Sequence, residues 1–151
     1  MSNMEIRLAN ERDLDDWMRL VRKERDSFPG LESEAALTEH RETVLGFVHR
    51  ESAICAACDG RIVGALLFSK EENMLCYLAV DGEYRRRHIA EDMVSYMLTL
   101  MDPNRAIVVT TYREGVPEGI AARAFYKHLG FAEGRLTEEF GSPVQEFVWI
   151  R

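Results

Sequence analysis

Three consecutive arginines stand at the start of a predicted helix, directly after the apolar run "MLCYLAV": Arg85, Arg86 and Arg87. A helix start already presents unpaired N–H groups and a partial positive charge, so cations are unfavourable there unless an anion neutralises them. Guanidinium groups and free N–H groups bind phosphate oxygens well. The segment therefore indicates an anion site suited to a pyrophosphate, although neither common nucleotide-binding glycine pattern is present. A solvated basic loop, paired with Glu83, Glu91 or Asp92, is the alternative.

The three cysteines, at positions 55, 58 and 76, fit reduced thiols of a protein core better than a disulfide framework, because their number is odd. Cys55 and Cys58 form a C-x-x-C pair, which is also the spacing of metal and redox motifs. Their segment has the pattern of a strand, however, and residues three apart in a strand point to opposite faces. A redox pair is expected at the start of a helix instead. We interpret the pair as buried small side chains.

The charge balance restricts the class of partner. The chain has 19 Lys plus Arg against 26 Asp plus Glu, a net charge of -7, which argues against nucleic-acid binding through bulk electrostatics. It has no run of about 18 apolar residues and no signal-peptide pattern at its start. We therefore expect a soluble, cytoplasmic protein with no membrane partner. Its 151 residues, 46% of them hydrophobic, predict one domain over 1–151.

The elements that must position the arginines follow from hydrophobic periodicity. The pattern predicts strands at 4–9, 52–58, 61–69, 74–80, 106–112, 131–140 and 144–151, the last two joined by "GSP". It predicts helices from Asn10 onward, around Leu37 to Val48, at 88–100 and at 118–129. The strand-helix-strand passage over 74–112 requires a right-handed crossover and a parallel pair. The predicted class is α/β (α+β in some schemes): a mixed, mainly antiparallel sheet with one parallel pair and helices on both faces.

Three segments of the chain resemble motifs of the GNAT superfamily of acyl-coenzyme A dependent N-acyltransferases, and they follow one another in the same order as in that family. "LAVDGEYRRRHIAEDMV" is similar to the family's cofactor motif, with Arg85 at its first position and Ala90 at its last. "ARAFYKHLGF" is similar to the second motif, and "CDGRIVGALLF" to a hairpin signature. The resemblance covers essentially the whole chain. Two departures are His88, where the family has a glycine, and Gly119, where many members have an asparagine.

The resemblance implies the family's fold and its cofactor, acetyl-coenzyme A. In that fold the strand that ends at Val80 separates from the strand near 106–112, and the pantetheine arm of the cofactor enters the gap between them. It implies that backbone groups of Leu78, Ala79 and Val80 bind this arm. The pyrophosphate would lie on the loop formed by Arg85, Arg86, Arg87, His88, Ile89 and Ala90. Either His88 adopts an uncommon backbone conformation or its ring joins the anion site. A solvated histidine at the helix start is a further alternative.

Tyr126 matches the family tyrosine that protonates the leaving thiolate, a role that suits a phenol within hydrogen-bond distance of the sulfur. A core tyrosine on an apolar helix stripe is the alternative. The general base stays unassigned, because the place of the family's glutamate holds Tyr77, while Glu71 and Glu72 lie earlier, near a turn. The binding site for the acceptor would be formed by "RDSFPGLESEAAL", between the first two helices, and by the last strands.

The resemblance therefore implies an N-acetyltransferase that transfers an acetyl group to a primary amine of a small molecule or peptide by direct attack. No metal is required, and a homodimer is compatible with it. A non-catalytic acyl-coenzyme A sensing or interaction module is the alternative, favoured by His88, Gly119 and the missing base. A basic-loop nucleic-acid binder is a third reading, and the net negative charge argues against it.

Overall fold

The computed structural model describes residues 3–28 and 30–150. Its strands are β1 (Met4–Leu8), β2 (Ala53–Cys58), β3 (Arg61–Ser69), β4 (Met74–Val80), β5 (Ile107–Tyr112), β6 (Ala132–Glu139) and β7 (Ser142–Trp149). Its helices are α1 (Leu14–Glu24), α2 (Glu34–His49), α3 (Ile89–Leu100) and α4 (Ile120–Leu129). None of the helices in the described residues is long and apolar enough to cross a membrane.

The strands form one seven-stranded sheet in the order β1-β2-β3-β4-β5-β7-β6. Neighbouring strands are antiparallel except β4 and β5, which are parallel and are connected through α3. This arrangement confirms the predicted mixed sheet with one parallel pair. A parallel pair needs a long crossover, and α3 supplies it.

Each face of the sheet is covered by two helices. Buried side chains of α1 and α2, including Trp17 and Val44, pack on one face, and those of α3 and α4, including Met93, pack on the other. Cys55 belongs to the first cluster and Cys58 to the second, so they do point to opposite faces. Cys76, which was expected in the core, is instead exposed to solvent. Among the described residues, no group of His, Cys, Asp and Glu could hold a metal ion.

Several element boundaries differ from the prediction by a few residues, and three of the differences have a clear local cause. Helix α3 begins at Ile89 instead of 88, because His88 takes a left-handed conformation with φ 60. Helix α4 begins two residues late, because Pro117–Gly119 form a 3-10 turn before it. The last hairpin turn was placed wrongly at "GSP": it is formed by Phe140 and Gly141, whose φ angles of 53 and 77 are those that two-residue hairpin turns require. Position 151 lies outside the described residues.

The junction of β4 and β5 is short and strongly braced. Within the described chain, β4 pairs with β5 only through Met74 and Leu75. Asn73, which is fully buried, lies beside this junction, and its Nδ2 faces the carbonyl oxygens of 102, 105 and 106 at 3.2, 3.2 and 3.3 Å. Its Oδ1 accepts the N–H of Asp102 at 3.0 Å. Asn73 therefore holds the two strands together at one end, while beyond Leu75 they separate.

A bulge in β4 accompanies the separation. The register with β3 shifts between the Leu67–Tyr77 and Phe68–Leu75 pairs, which leaves Cys76 without a partner on β3. Bulges bend a strand and increase its twist. The bend falls immediately after the last β4–β5 pair, and it directs the rest of β4 away from β5.

Candidate active site

A cavity of about 1050 Å³ lies where β4 and β5 separate, and residues from both faces of the sheet line it. On the side of α3 and α4, its wall contains Arg85, Arg86 and His88, and we call this part the basic half. On the side of α1 and α2 the wall contains aromatic and acidic side chains, and we call this part the acidic half. Its principal residues are Phe28, Glu39, His40, Tyr77, Glu118, Glu139 and Phe140.

The wall between the halves is the free edge of β4. Leu78, Ala79 and Val80 all line the cavity and pair with β3 on one side. On the side of β5 they have no strand partner, because the β4–β5 pairing ends at Leu75. Unpaired backbone groups at a strand edge are available to an extended ligand. This arrangement agrees with the gap that the sequence resemblance implies.

The loop that follows β4 is tied to the end of α1 by three ion pairs, in which Lys23 binds Asp81 and Glu83, and Glu24 binds Arg85. Asp81, fully buried, accepts hydrogen bonds from Lys23 at 2.7 Å and from the N–H of Glu83 at 3.0 Å. Burial alone would raise the pKa of Asp81, but these two donors hold it below its ordinary value. Glu24 accepts from Arg85 at 2.8 Å and from the N–H of Gly82 at 3.3 Å. Helix α1 therefore fixes the loop in place.

The three arginines have different surroundings. Arg85 lines the cavity, but its guanidinium group is paired with Glu24, whose side chain is only 11% exposed. Arg86 is exposed and lines the cavity. Arg87 is not among the lining residues, and its Cζ lies 5.1 Å from the centroid of the Tyr84 ring. Of the three, Arg86 is the one whose charge faces the cavity without an ionic partner among the described residues.

The start of α3 presents free N–H groups to the basic half. His88, Ile89 and Ala90 line the cavity, and none of their N–H groups has an acceptor among the described residues. Arg86 and His88 reach this geometry with left-handed φ angles of 65 and 60. His88 therefore has the uncommon backbone conformation that was one of its three alternatives, and its side chain is exposed, as in the solvated alternative. Its exposed ring lies with Nδ1 3.5 Å from Oε2 of Glu91.

Tyr126 of α4 is buried in the cavity wall. Its side chain lies among Phe125, Phe131 and Phe147, at ring-centroid distances of 5.6, 5.6 and 6.1 Å, and no described residue hydrogen-bonds its hydroxyl. Burial raises the pKa of Tyr126 above its ordinary value, so the phenol is protonated at neutral pH. An uncharged hydroxyl in an apolar wall can donate a hydrogen bond to a negative charge that develops beside it.

Helix α4 is held in place by Arg123, a residue that the sequence reasoning missed. Its guanidinium group donates to the carbonyl oxygen of Tyr112 at 2.9 Å, to Gln145 at 2.9 Å and to Glu133 at 2.7 Å. These bonds join α4 to β5, β6 and β7, and so fix where Tyr126 lies. The only signal in the sequence is one arginine within the apolar stripe "AARAFY", which by itself does not distinguish a buried from an exposed side chain.

Gly119 has a packing reason to be a glycine. A Cβ at this position would lie 2.6 Å from Cβ of Tyr112, closer than packed atoms approach. The asparagine found in many members of the resembled family therefore has no room here. The difference at Gly119 reflects the way the 3-10 turn packs on β5.

The floor of the acidic half contains two polar atoms without partners. The rings of Phe28 and His40 lie 4.5 and 5.1 Å from that of Tyr77, centroid to centroid. His40 Nε2 and Tyr77 Oη are both shielded from solvent and have no hydrogen-bond partner among the described residues. Burial lowers the pKa of His40 to about 4 and raises that of Tyr77, so both are neutral at pH 7.

Two loops meet over the acidic half. The exposed ring of Phe140 at the β6–β7 turn lies against Gly30, where an added Cβ would be 2.9 Å from Cγ of that ring. Glu139, beside it, accepts a hydrogen bond from Thr110 at 2.6 Å. Glu71 and Glu72 are exposed in the turn that precedes β4 and do not line the cavity.

A family model described as the acetyltransferase (GNAT) family matches residues 17–131 of the chain. No curated protein sequence matches this chain significantly. Many solved structures share its fold. The PaiA N-acetyltransferase from Thermoplasma acidophilum, solved in complex with coenzyme A, is 17% identical, with a TM-score of 0.70 over 95% of this chain and 98% of that one. Ard1 from Thermoplasma volcanium is 21% identical, with a TM-score of 0.71 over 97% of each chain. A GNAT family acetyltransferase from Streptococcus agalactiae is 14% identical, with a TM-score of 0.76 over 98% and 95%.

Proposed function

Since the chain belongs to the acetyltransferase (GNAT) family, we propose that it transfers the acetyl group of acetyl-coenzyme A to a primary amine by direct attack. The observation that carries this proposal is the cavity at the β4–β5 gap, which brings together a free strand edge, a helix start and a buried phenol. These are the three groups that a thioester with a pyrophosphate tail needs. The two halves of the cavity would hold the two substrates on opposite sides of the same gap.

Strand β4 and the loop before α3 would bind different parts of the cofactor. The free edge of β4 at Leu78, Ala79 and Val80 would hydrogen-bond the amides of the pantetheine arm, as an added strand would. The N–H groups of His88, Ile89 and Ala90 would bind the pyrophosphate at the positive end of α3. These groups fit the ligand, because they line the cavity and have no acceptor of their own among the described residues.

The arginines would then serve in different ways. Arg86 would pair with a phosphate oxygen directly, since its charge faces the cavity. Arg85 would act as a positioning residue that holds the loop through Glu24. Arg87, stacked on Tyr84, would contribute only to the general positive potential.

The reaction replaces a C–S bond by a C–N bond. The amine nitrogen attacks the carbonyl carbon, the thiolate leaves, the nitrogen loses a proton and the sulfur gains one. Tyr126 would donate a hydrogen bond and then a proton to the departing sulfur. Its raised pKa keeps the donor protonated in the resting protein. Positioning both substrates at one gap would supply much of the acceleration, because it replaces an encounter in solution.

Release of free thiol from acetyl-coenzyme A in the presence of a panel of primary amines tests the proposal. The expected result is thiol release that depends on an added amine and is matched by N-acetylated product. Thermal stabilisation by coenzyme A without amine-dependent release would favour the sensing module instead. The absence of both would contradict the cofactor assignment as well.

A further inference from the structure

The two halves of the cavity differ in their charged side chains. Arg86 and Arg85, the latter paired with Glu24, line the basic half together with Glu91, whereas the lysine and arginine side chains of the described chain are absent from the wall of the acidic half. The histidine in that wall is His40. Burial lowers the pKa of His40 to about 4, so its ring is uncharged at neutral pH. The substrate bound in the acidic half therefore meets negative charge without compensating positive charge.

Two carboxylates in the acidic half are available to a ligand. Glu39 of α2 and Glu118 of the 3-10 turn are exposed, line the cavity and have no hydrogen-bond or ion-pair partner in the part of the chain that the structure describes. The turn that carries Glu118 contacts the 3-10 segment Arg25–Ser27 between α1 and α2. Glu118 is therefore close to the segment that joins α1 to α2, while Glu39 lies on α2 itself.

The negative potential extends beyond the wall. Tyr112, at the end of β5, has a raised pKa, caused first by burial and then by Glu118, Glu32 and Asp26. These three carboxylates come from two separate segments of the chain, yet all act on one hydroxyl. Of these three carboxylates, Glu118 lines the cavity.

The neighbouring cations are engaged elsewhere. Arg22 and Arg25 pair with Glu34, and Arg41 pairs with Asp15. Arg50 lies over the ring of Phe47, with its Cζ 4.6 Å from the centroid, and does not line the cavity. These pairings leave Glu39 and Glu118 without a neutralising side chain.

The floor offers a second, independent indication of a ligand. Tyr77 is only 8% exposed, and its hydroxyl, like His40 Nε2, has no hydrogen-bond partner among the described residues. Leaving a buried polar atom unpaired is costly, so such atoms usually have a partner that the protein alone does not supply. An uncharged amine can donate its N–H groups to both atoms. The rings of Phe28 and Tyr77 also provide faces that attract cations.

We propose that the acceptor is a small aliphatic amine with a second positive charge, held by Glu39 and Glu118 while its reacting nitrogen lies against Tyr77 and His40. This inference rests on the proposed function, since it names the acceptor class of the same cavity. A small molecule fits better than a peptide, because Phe140 packs on Gly30 across the acidic half. A peptide main chain would have to separate these two loops.

Matched pairs of amines test the proposal: putrescine against butylamine, and cadaverine against pentylamine. Each pair has the same carbon chain and differs in one charge. We expect kcat/KM from thiol release to favour the diamine by about tenfold, and the preference to decrease as salt is raised. Glu39→Gln and Glu118→Gln should each reduce the preference, because each removes a negative charge that the second ammonium group of the diamine would meet. Glu71→Gln, in the exposed turn outside the cavity, should leave the preference intact.

Binding provides a readout that does not require turnover. With coenzyme A present, putrescine should raise the melting temperature more than butylamine does, and the two glutamine variants should abolish this difference. Equal stabilisation and equal kcat/KM for the two amines would overturn the inference, as would preferential acetylation of a lysine peptide over putrescine. Failure of every amine to release thiol, with the diamine binding preference retained, would contradict the proposed function and not the cation site.

Discussion

Replacing Tyr126 by phenylalanine separates catalysis from structure, because the hydroxyl makes no hydrogen bond to any described residue. The ring keeps its contacts with Phe125, Phe131 and Phe147. Deleting an unpaired buried hydroxyl costs the fold little, so the free energy of unfolding should change by less than about 1 kcal/mol. Coenzyme A affinity should also be nearly unchanged.

Turnover should respond very differently. General acid catalysis contributes about a hundredfold or more, equivalent to about 2.7 kcal/mol of transition-state stabilisation. We therefore expect kcat to fall by about that factor, measured as thiol release at saturating amine, while the dissociation constant of coenzyme A measured by calorimetry stays the same. Because burial raises the pKa of Tyr126, its phenol stays protonated below a pH of about 10. Below that pH, deprotonation of Tyr126 should therefore not lower the wild-type rate. Unchanged turnover with intact binding would refute the role of Tyr126, and a collapse of both would indicate a structural tyrosine.

Three further changes probe the loop and the packing. Arg86→Ala should weaken coenzyme A binding about tenfold, whereas Arg87→Ala, at a residue outside the cavity wall, should change it much less; equal effects in calorimetry would contradict the assignment. Gly119→Ala should lower the free energy of unfolding by about 1–3 kcal/mol in urea denaturation, because its Cβ would collide with Tyr112. Asp81→Asn should destabilise the protein at neutral pH. The pKa of Asp81 is lowered by folding, so its contribution is present above the unfolded pKa and is lost as pH falls through the folded one; the wild-type and variant melting temperatures should converge in acid.

The fold was predictable because its elements have strong local patterns. The apolar spacing predicts a buried stripe on α3 of Ile89, Met93, Tyr96, Met97 and Leu100. Ile89, Met93 and Met97 are buried, and Tyr96 and Leu100 are half-buried. The apolar runs "AICAAC" and "IVGALLF" predict two strands, which form the adjacent, almost fully buried strands β2 and β3. The family motifs added the element order. The hairpin turn at Phe140 was missed because a phenylalanine with positive φ is uncommon and carries no turn signal.

The candidate site was predictable only in part, because its geometry depends on contacts between distant segments. Arg85 reaches Glu24 across 61 positions of sequence, and this contact is the reason that we propose a positioning role for Arg85 instead of direct phosphate binding. Asn73 and Arg123 each join several segments of the chain. Asn73 stands in no motif, and Arg123 lies within "ARAFYKHLGF", but the resemblance gave it no role. The unpaired carboxylates of the acidic half become apparent only when the partners of the surrounding arginines are known.

The proposal that acetyl transfer occurs by direct attack is tested most directly by a single-turnover experiment. The protein is mixed with less than one equivalent of acetyl-coenzyme A, with and without putrescine, and free thiol, protein mass and N-acetylated amine are followed over time. We expect no thiol release and no gain in protein mass without the amine, and thiol and acetylated amine in equal amounts at equal rates with it. A burst of thiol together with an acetylated protein in the absence of amine would contradict direct attack.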